Sequence, residues 1–177
     1  QAETGRTFIH PFNDEDVIAG QGTIALEIAD QIPDLDAVIV PIGGGGLISG
    51  IAYTIKMINP KVKVYGVQAA GAPSMKNSVE HKQIERLDSV STIADGTAVK
   101  TPGDIVFPYV RDNVDQILTV EDDDLIGAFL DMMENHKMIV ENSGLLTVAA
   151  LKHLDFKGKK VVSVLSGGNM DIITMSS

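Results

Sequence analysis

Apolar positions recur at two different spacings along the chain, and the switches between them divide it into alternating elements. From Asn13 to Gln31, Val17, Ile18, Ile24, Leu26 and Ile28 stand at helical spacing among small residues, with Asn13 or Asp14 placed to cap the start. DAVIVPI is a short β-branched run of the kind buried on both faces of a parallel sheet. LISGIAYTIKMI returns to the helical period and stops at Asn59-Pro60. KVKVYGVQ reads as a second strand and Ala72 to His81 as a short helix. Gln83 to Pro108 is punctuated and mixed, so it reads mainly as loop with one helical turn. VDQILTV gives a third strand, an acidic start at Glu121 opens a helix running to His136, and Ser143 to His153 forms another. KKVVSVLSGGN closes the pattern as a fourth strand that enters a glycine turn.

Strands alternating with helices of this length predict right-handed crossovers and an α/β fold, a parallel, doubly wound sheet covered by helices on both faces. Ligands of such sheets lie outside the carboxyl ends of the strands. Two strands here run into glycine, one at Gly43–Gly46 and one at Ser166-Gly167-Gly168-Asn169. Both loops are expected on the same edge, and together they make a site.

Composition narrows what that site can be. The 177 residues suffice for one domain with a core, at 44% hydrophobic and 21% charged. No apolar run reaches the roughly 20 residues that cross a bilayer, which argues against a membrane role. There is no cysteine, so disulfides, thiolate metal sites and cysteine nucleophiles are excluded. A net charge of −10 and the absence of a basic cluster argue against a nucleic-acid surface. His10, His81, His136 and His153 are scattered, with no metal-ligand spacing among them. The acidic run Glu121 to Asp124 reads as carboxylates favouring a helix N-terminus, at roughly 0.3–1 kcal/mol each.

Consecutive glycines sacrifice backbone entropy, and what they gain is bare backbone. At Gly43, Gly44, Gly45, Gly46 and Leu47 several N–H groups can converge on one anion at a helix start, which suits a phosphate monoester. No Lys-Ser/Thr pair follows, and the adjacent glycines do not match the spaced dinucleotide pattern. A strand–helix turn that binds nothing is the plain alternative. The second loop offers the Ser166 hydroxyl, suited to a heterocyclic nitrogen that should not be held protonated; the alternative is a turn residue bonding its own backbone.

The motifs HPFNDEDVIAGQGTIALEI, VPIGGGGLISGIA, TIADG, ENSGLLTVAAL and VLSGGNMD, in this order across nearly the whole chain, resemble the threonine dehydratase (threonine ammonia-lyase) family, with serine racemases as close relatives. These are pyridoxal-phosphate enzymes of the tryptophan-synthase-β type, fold type II. The resemblance implies that Gly43–Leu47 hold the cofactor phosphate, that Ser166 bonds the pyridine nitrogen, and that Gly96 brings backbone to the ring. Glu141 matches an acidic position near the cofactor and is the one possible catalytic residue; a carboxylate favouring a helix start is its plain alternative. The implied activity is deamination of L-threonine, and of L-serine, to a 2-oxo acid and ammonia. The implied setting is a cytoplasmic homo-oligomer, dimer or tetramer, in amino-acid metabolism such as isoleucine biosynthesis.

Two departures qualify the resemblance. The family's Schiff-base lysine and substrate-carboxylate loop lie in patterns such as S-x-K and S-x-G-N-H, and none of the eleven lysines here sits in one. Both ends read as cuts. The chain is therefore expected to be a single α/β cofactor-binding domain over residues 1–177, a large-domain fragment inactive by itself, with SGGNMDIITMSS resembling the join to a regulatory domain. Where serine racemases carry metal-binding carboxylates after the second strand, Gln68 and Ser74 stand instead, so no divalent metal site is expected. Against the dehydratase reading stand a serine racemase-like enzyme and a non-catalytic phosphate-binding or regulatory module.

Overall fold

The computed structural model describes residues 5–170. Four strands, β1 (Ala37–Pro41), β2 (Lys63–Ala69), β3 (Gln116–Val120) and β4 (Val161–Ser163), form one sheet in the order β3-β2-β1-β4. Every pairing is parallel, with Ala37 opposite Lys63 and Val161, and Tyr65 opposite Gln116. The helices are α1 (Glu15–Gln31), α2 (Gly46–Ile58), α3 (Ser74–Glu80), α4 (Val106–Asn113), α5 (Asp122–Asp131) and α6 (Asn142–Ala150).

The two-residue period of β1 sorts the core. Val38 and Val40 join a cluster with Ile48, Ile51 and Ile55 of α2, Ile18 and Ala25 of α1, and Val106 and Val110 of α4. Ile39 points the other way, into a cluster with Leu125 of α5 and Leu145, Leu146 and Ala149 of α6. Helices thus cover both faces of the sheet, as predicted. The fully buried isoleucines of α2 each contribute roughly 1.5–3 kcal/mol. Glycine brings α1 and α2 into backbone contact: a Cβ at Gly50 would stand 2.3 Å from the Ile18 carbonyl, and one at Gly22 would stand 2.6 Å from Thr54 Oγ1. That close crossing fixes where the first turn of α2 lies, and the site is built on that turn.

Asp14 caps α1 through its side chain, which accepts the Asp16 N–H at 2.8 Å. The helix opened by the acidic run continues beyond α5 as a π-turn, Met132–His136, and α6 continues as a 3₁₀ turn, Leu151–His153. Within the stretch read mainly as loop, the one helical turn is the 3₁₀ segment Asp95–Thr97. Its end departs from the prediction, because α4 begins at Val106 and carries Pro108 inside it. Pro108 occupies the first turn, where a missing N–H costs nothing, so the residue that suggested loop is compatible with helix. The fourth strand is shorter than its apolar run, pairing only over Val161–Ser163 before the chain bends toward Ser166. Of the residues read as a join, Asp171 to Ser177 lie outside the described residues.

Candidate functional site

Because β1 and β4 are parallel neighbours, the loops leaving them emerge side by side at the carboxyl edge. Gly43–Gly46 leads straight into α2, whose N-cap, Gly45, has φ +110° and no side-chain cap. Such a φ strains any residue with a Cβ. Among the described residues no acceptor takes the N–H of Gly43, Gly44 or Gly45; the nearest donors with partners are Ile42, to Val67 O, and Ser49, to Gly45 O. The first N–H groups of α2 are unpaired by helix geometry as well. A run of donors without acceptors, at the positive end of a helix, fits an anion.

Bareness is forced at each glycine by its neighbours. A Cβ at Gly44 would stand 2.3 Å from the Phe12 ring, one at Gly45 2.6 Å from Met75 Cε, and one at Gly46 2.9 Å from Phe12 Cα. A Cβ at Gly43 would meet Thr97 Cα at 3.2 Å and the Gly96 carbonyl at 3.5 Å. Phe12 itself is set by His10, whose Nδ1 accepts the N–H groups of Phe12 and Asn13 at 3.3 and 2.9 Å. The motif HPF was legible in the sequence, but its packing onto the tetraglycine loop was not.

Gly96, Glu141 and the Ser166 loop come to the same place. The Gly96 N–H donates to Asp95 Oδ1 at 2.8 Å, and its carbonyl faces Gly43. A Cβ at Gly96 would lie 2.9 Å from Ser143 Oγ and 3.7 Å from Glu141 Oε1. Glu141 is the N-cap of α6, with no side-chain cap bond of its own; its N–H donates to the Gly167 carbonyl at 3.3 Å. Its carboxyl group lies directly against Gly167, where a Cβ would stand 2.2 Å from it and where φ is +84°. The Ser166 carbonyl would be 2.2 Å from a Cβ at Gly144, which packs the exit of β4 onto the first turn of α6. The candidate residues Gly43, Gly44, Gly45, Gly46, Leu47, Gly96, Glu141 and Ser166 thus gather on one edge from four separate parts of the chain.

Other candidates resolve differently. Gln68 is fully buried, and its Oε1 accepts the Lys76 N–H at 2.9 Å, so that oxygen is engaged at the start of α3. Ser74 Oγ is buried without a hydrogen-bond partner among the described residues. The acidic run divides its work: Asp124 faces His153 at 2.9 Å, a bond that holds its carboxyl below the usual range, while Asp122 bonds the loop that carries Gly96. Where the described lysines have side-chain partners, those partners lie away from this cluster, as Asp115, Asp36 and Asp124 do.

Comparison with known proteins identifies what this arrangement belongs to. The family model for pyridoxal-phosphate dependent enzymes matches residues 1–167. The L-threonine ammonia-lyase of Thermotoga maritima is 50% identical over 173 residues, which is 97% of this chain and 43% of that protein. The catabolic L-threonine dehydratase TdcB of Escherichia coli is 44% identical, over 97% of this chain and 54% of its own length. Among solved structures, a threonine deaminase from T.th. superposes with a TM-score of 0.93 at 39% identity, covering 97% of this chain and 58% of its own. Maize serine racemase superposes with 0.92 at 39% identity, covering 99% and 55%. The chain spans about half the length of the curated relatives it matches. An uncapped helix start behind four glycines, a serine-glycine loop beside it and a family match over nearly every residue agree: this chain belongs to the pyridoxal-phosphate dependent enzymes.

Proposed function

We propose that this chain forms the phosphate and ring-nitrogen side of the cofactor site of a threonine ammonia-lyase. That enzyme deaminates L-threonine to 2-oxobutanoate and ammonia, and L-serine to pyruvate and ammonia. The observation that carries the reading is the set of N–H groups from Gly43 to Gly45 without acceptors among the described residues, which run into the N-terminus of α2. The match to threonine ammonia-lyases at 44–50% identity supports the substrate class.

Bound pyridoxal phosphate supplies an electron sink for loss of an α-proton from an amino acid. The chain's own residues have separate tasks around it. Gly43–Leu47 bind the phosphate through backbone N–H groups. The backbone of Gly96, whose carbonyl faces Gly43, lies beside the flat ring. Ser166 meets the ring nitrogen with a neutral hydroxyl, which does not hold that nitrogen charged as a carboxylate would. Glu141, held against Gly167, fixes the orientation of the loop that carries Ser166. The substrate is a small amino acid, and the whole protein works as a cytoplasmic homo-oligomer in amino-acid metabolism.

The test is a product assay on the full-length protein with L-threonine and L-serine. Formation of 2-oxobutanoate from L-threonine supports the reading. D-serine from L-serine without 2-oxo acid would give the protein a racemase role, and no turnover of either amino acid with bound cofactor would overturn the enzymatic reading.

A further inference from the structure

Gly96 reaches the cluster on a loop, residues 91–97, that is anchored by residues outside it. Asp122, the first residue of α5, accepts the Thr92 hydroxyl on Oδ1 at 2.6 Å and the Ile93 N–H on Oδ2 at 3.1 Å. The Thr92 hydroxyl in turn accepts the Ala94 N–H at 3.1 Å. From the other side Asn142 Nδ2 donates to the Ile93 carbonyl at 3.0 Å, and the hydroxyls of Thr97 and Ser143 lie 3.3 Å apart. Ala94, between these anchors, is fully buried in the cluster under α5 and α6.

Both oxygens of one carboxylate are therefore spent on a loop about thirty positions away in sequence. Bonds to an ionised acceptor are about twice as strong as neutral ones. The charge also stands in the first turn of α5, where the helix dipole favours it. Asp123 and Asp124 share that turn, yet Asp123 is exposed and Asp124 faces His153 and Lys152. The clamp belongs to Asp122 alone among them. Gly96 meets the site with backbone only, so its placement depends on what holds the rest of the loop.

We infer that Asp122, acting through Thr92, is a positioning residue that sets Gly96 against the cofactor ring; this rests on the cofactor reading above. The test is made in the full-length protein by titrating pyridoxal phosphate and recording the circular dichroism of the bound cofactor. Asp122→Asn keeps the size and removes the carboxylate. It is expected to raise the dissociation constant about 5- to 20-fold, the effect of losing hydrogen bonds to a charged group, and to shift the cofactor band. Thr92→Val should do the same. The double variant should lose no more than the worse single one, because both remove one linkage. Asp123→Asn removes the same helix-start charge and should stay within about twofold of the parent.

Equal affinity and an equal band for Asp122→Asn and Asp123→Asn would overturn the inference while leaving the cofactor reading intact. Should Asp122→Asn fail to fold, unchanged binding in Thr92→Val overturns it equally. Failure of the parent protein to take up pyridoxal phosphate would overturn the cofactor reading, and the inference with it.

Discussion

The two edges of the sheet are built from opposite chemistry. At the amino edge, polar groups are matched. Asp115, just before β3, accepts from Lys56 Nζ at 2.6 Å, Lys63 Nζ at 2.8 Å and the Val64 N–H at 2.8 Å. Asp36, just before β1, accepts the Lys160 N–H at 2.8 Å and faces Lys159, while Asp34 pairs with Lys160. At the carboxyl edge, the N–H groups of Gly43 to Gly45 have no acceptor among the described residues, and side chains are replaced by glycine. Buried donors are rarely left without partners unless something else satisfies them. One edge finishes the fold; the other is shaped for a ligand.

The sharpest way to break that contrast is Gly45→Ala. The φ of +110° and the contact with Met75 both oppose a Cβ, so the loop must move. Affinity for pyridoxal phosphate should fall by about 100-fold or more, which is a loss of roughly 2.7 kcal/mol or more. Equilibrium dialysis against pyridoxal phosphate measures it. Affinity within threefold of the parent would show that the loop does not hold the phosphate.

The reciprocal change at the other edge is Asp115→Ala. It leaves Lys56, whose side chain is only 17% exposed, with the Val62 carbonyl but no counter-charge, and strands the Val64 N–H. Stability should drop by about 2 kcal/mol, the usual cost of unpairing partly buried polar groups. Cofactor affinity should not change. Urea denaturation and the same dialysis separate these effects, and a variant that lost affinity without losing stability would erase the distinction between the edges.

A smaller effect follows from pH. Burial pushes the Asp115 carboxyl up, but the bonds from Lys56, Lys63 and the Val64 N–H outweigh it and hold the group below the usual carboxylate range. A carboxyl lowered in the folded state contributes stability above its unfolded value of about 3.9, and that stability is lost as pH falls through the folded value. Urea midpoints between pH 6 and pH 3 should decline less steeply at the acid end in Asp115→Asn than in the parent. Parallel curves would mean that Asp115 carries none of the acid sensitivity.

Local chemistry made most of the fold legible in the sequence. The β-branched runs at Ala37–Pro41 and Lys63–Ala69, the Asp14 cap and the stop at Asn59 are all decided within a few residues. The segment from Val106 to Asn113 was not legible, because Pro108 signals loop as strongly as it permits a first helical turn. The glycine loops announced the site for the same local reason. Phe12 over Gly44, Glu141 against Gly167 and Asp122 on Thr92 could not be read, since each joins residues about 25 to 32 positions apart through tertiary contacts.

The central claim is that the N–H groups of Gly43–Leu47 hold a phosphate dianion. Phosphorus NMR of the full-length protein with one equivalent of pyridoxal phosphate tests it most directly. A free phosphate monoester titrates with a second pKa of about 6. The account predicts a bound resonance that does not move between pH 6 and 8, is displaced by inorganic phosphate, and reverts to free-like titration in Gly45→Ala. A resonance that titrates like free cofactor in the parent protein, or one that Gly45→Ala leaves unchanged, would contradict it.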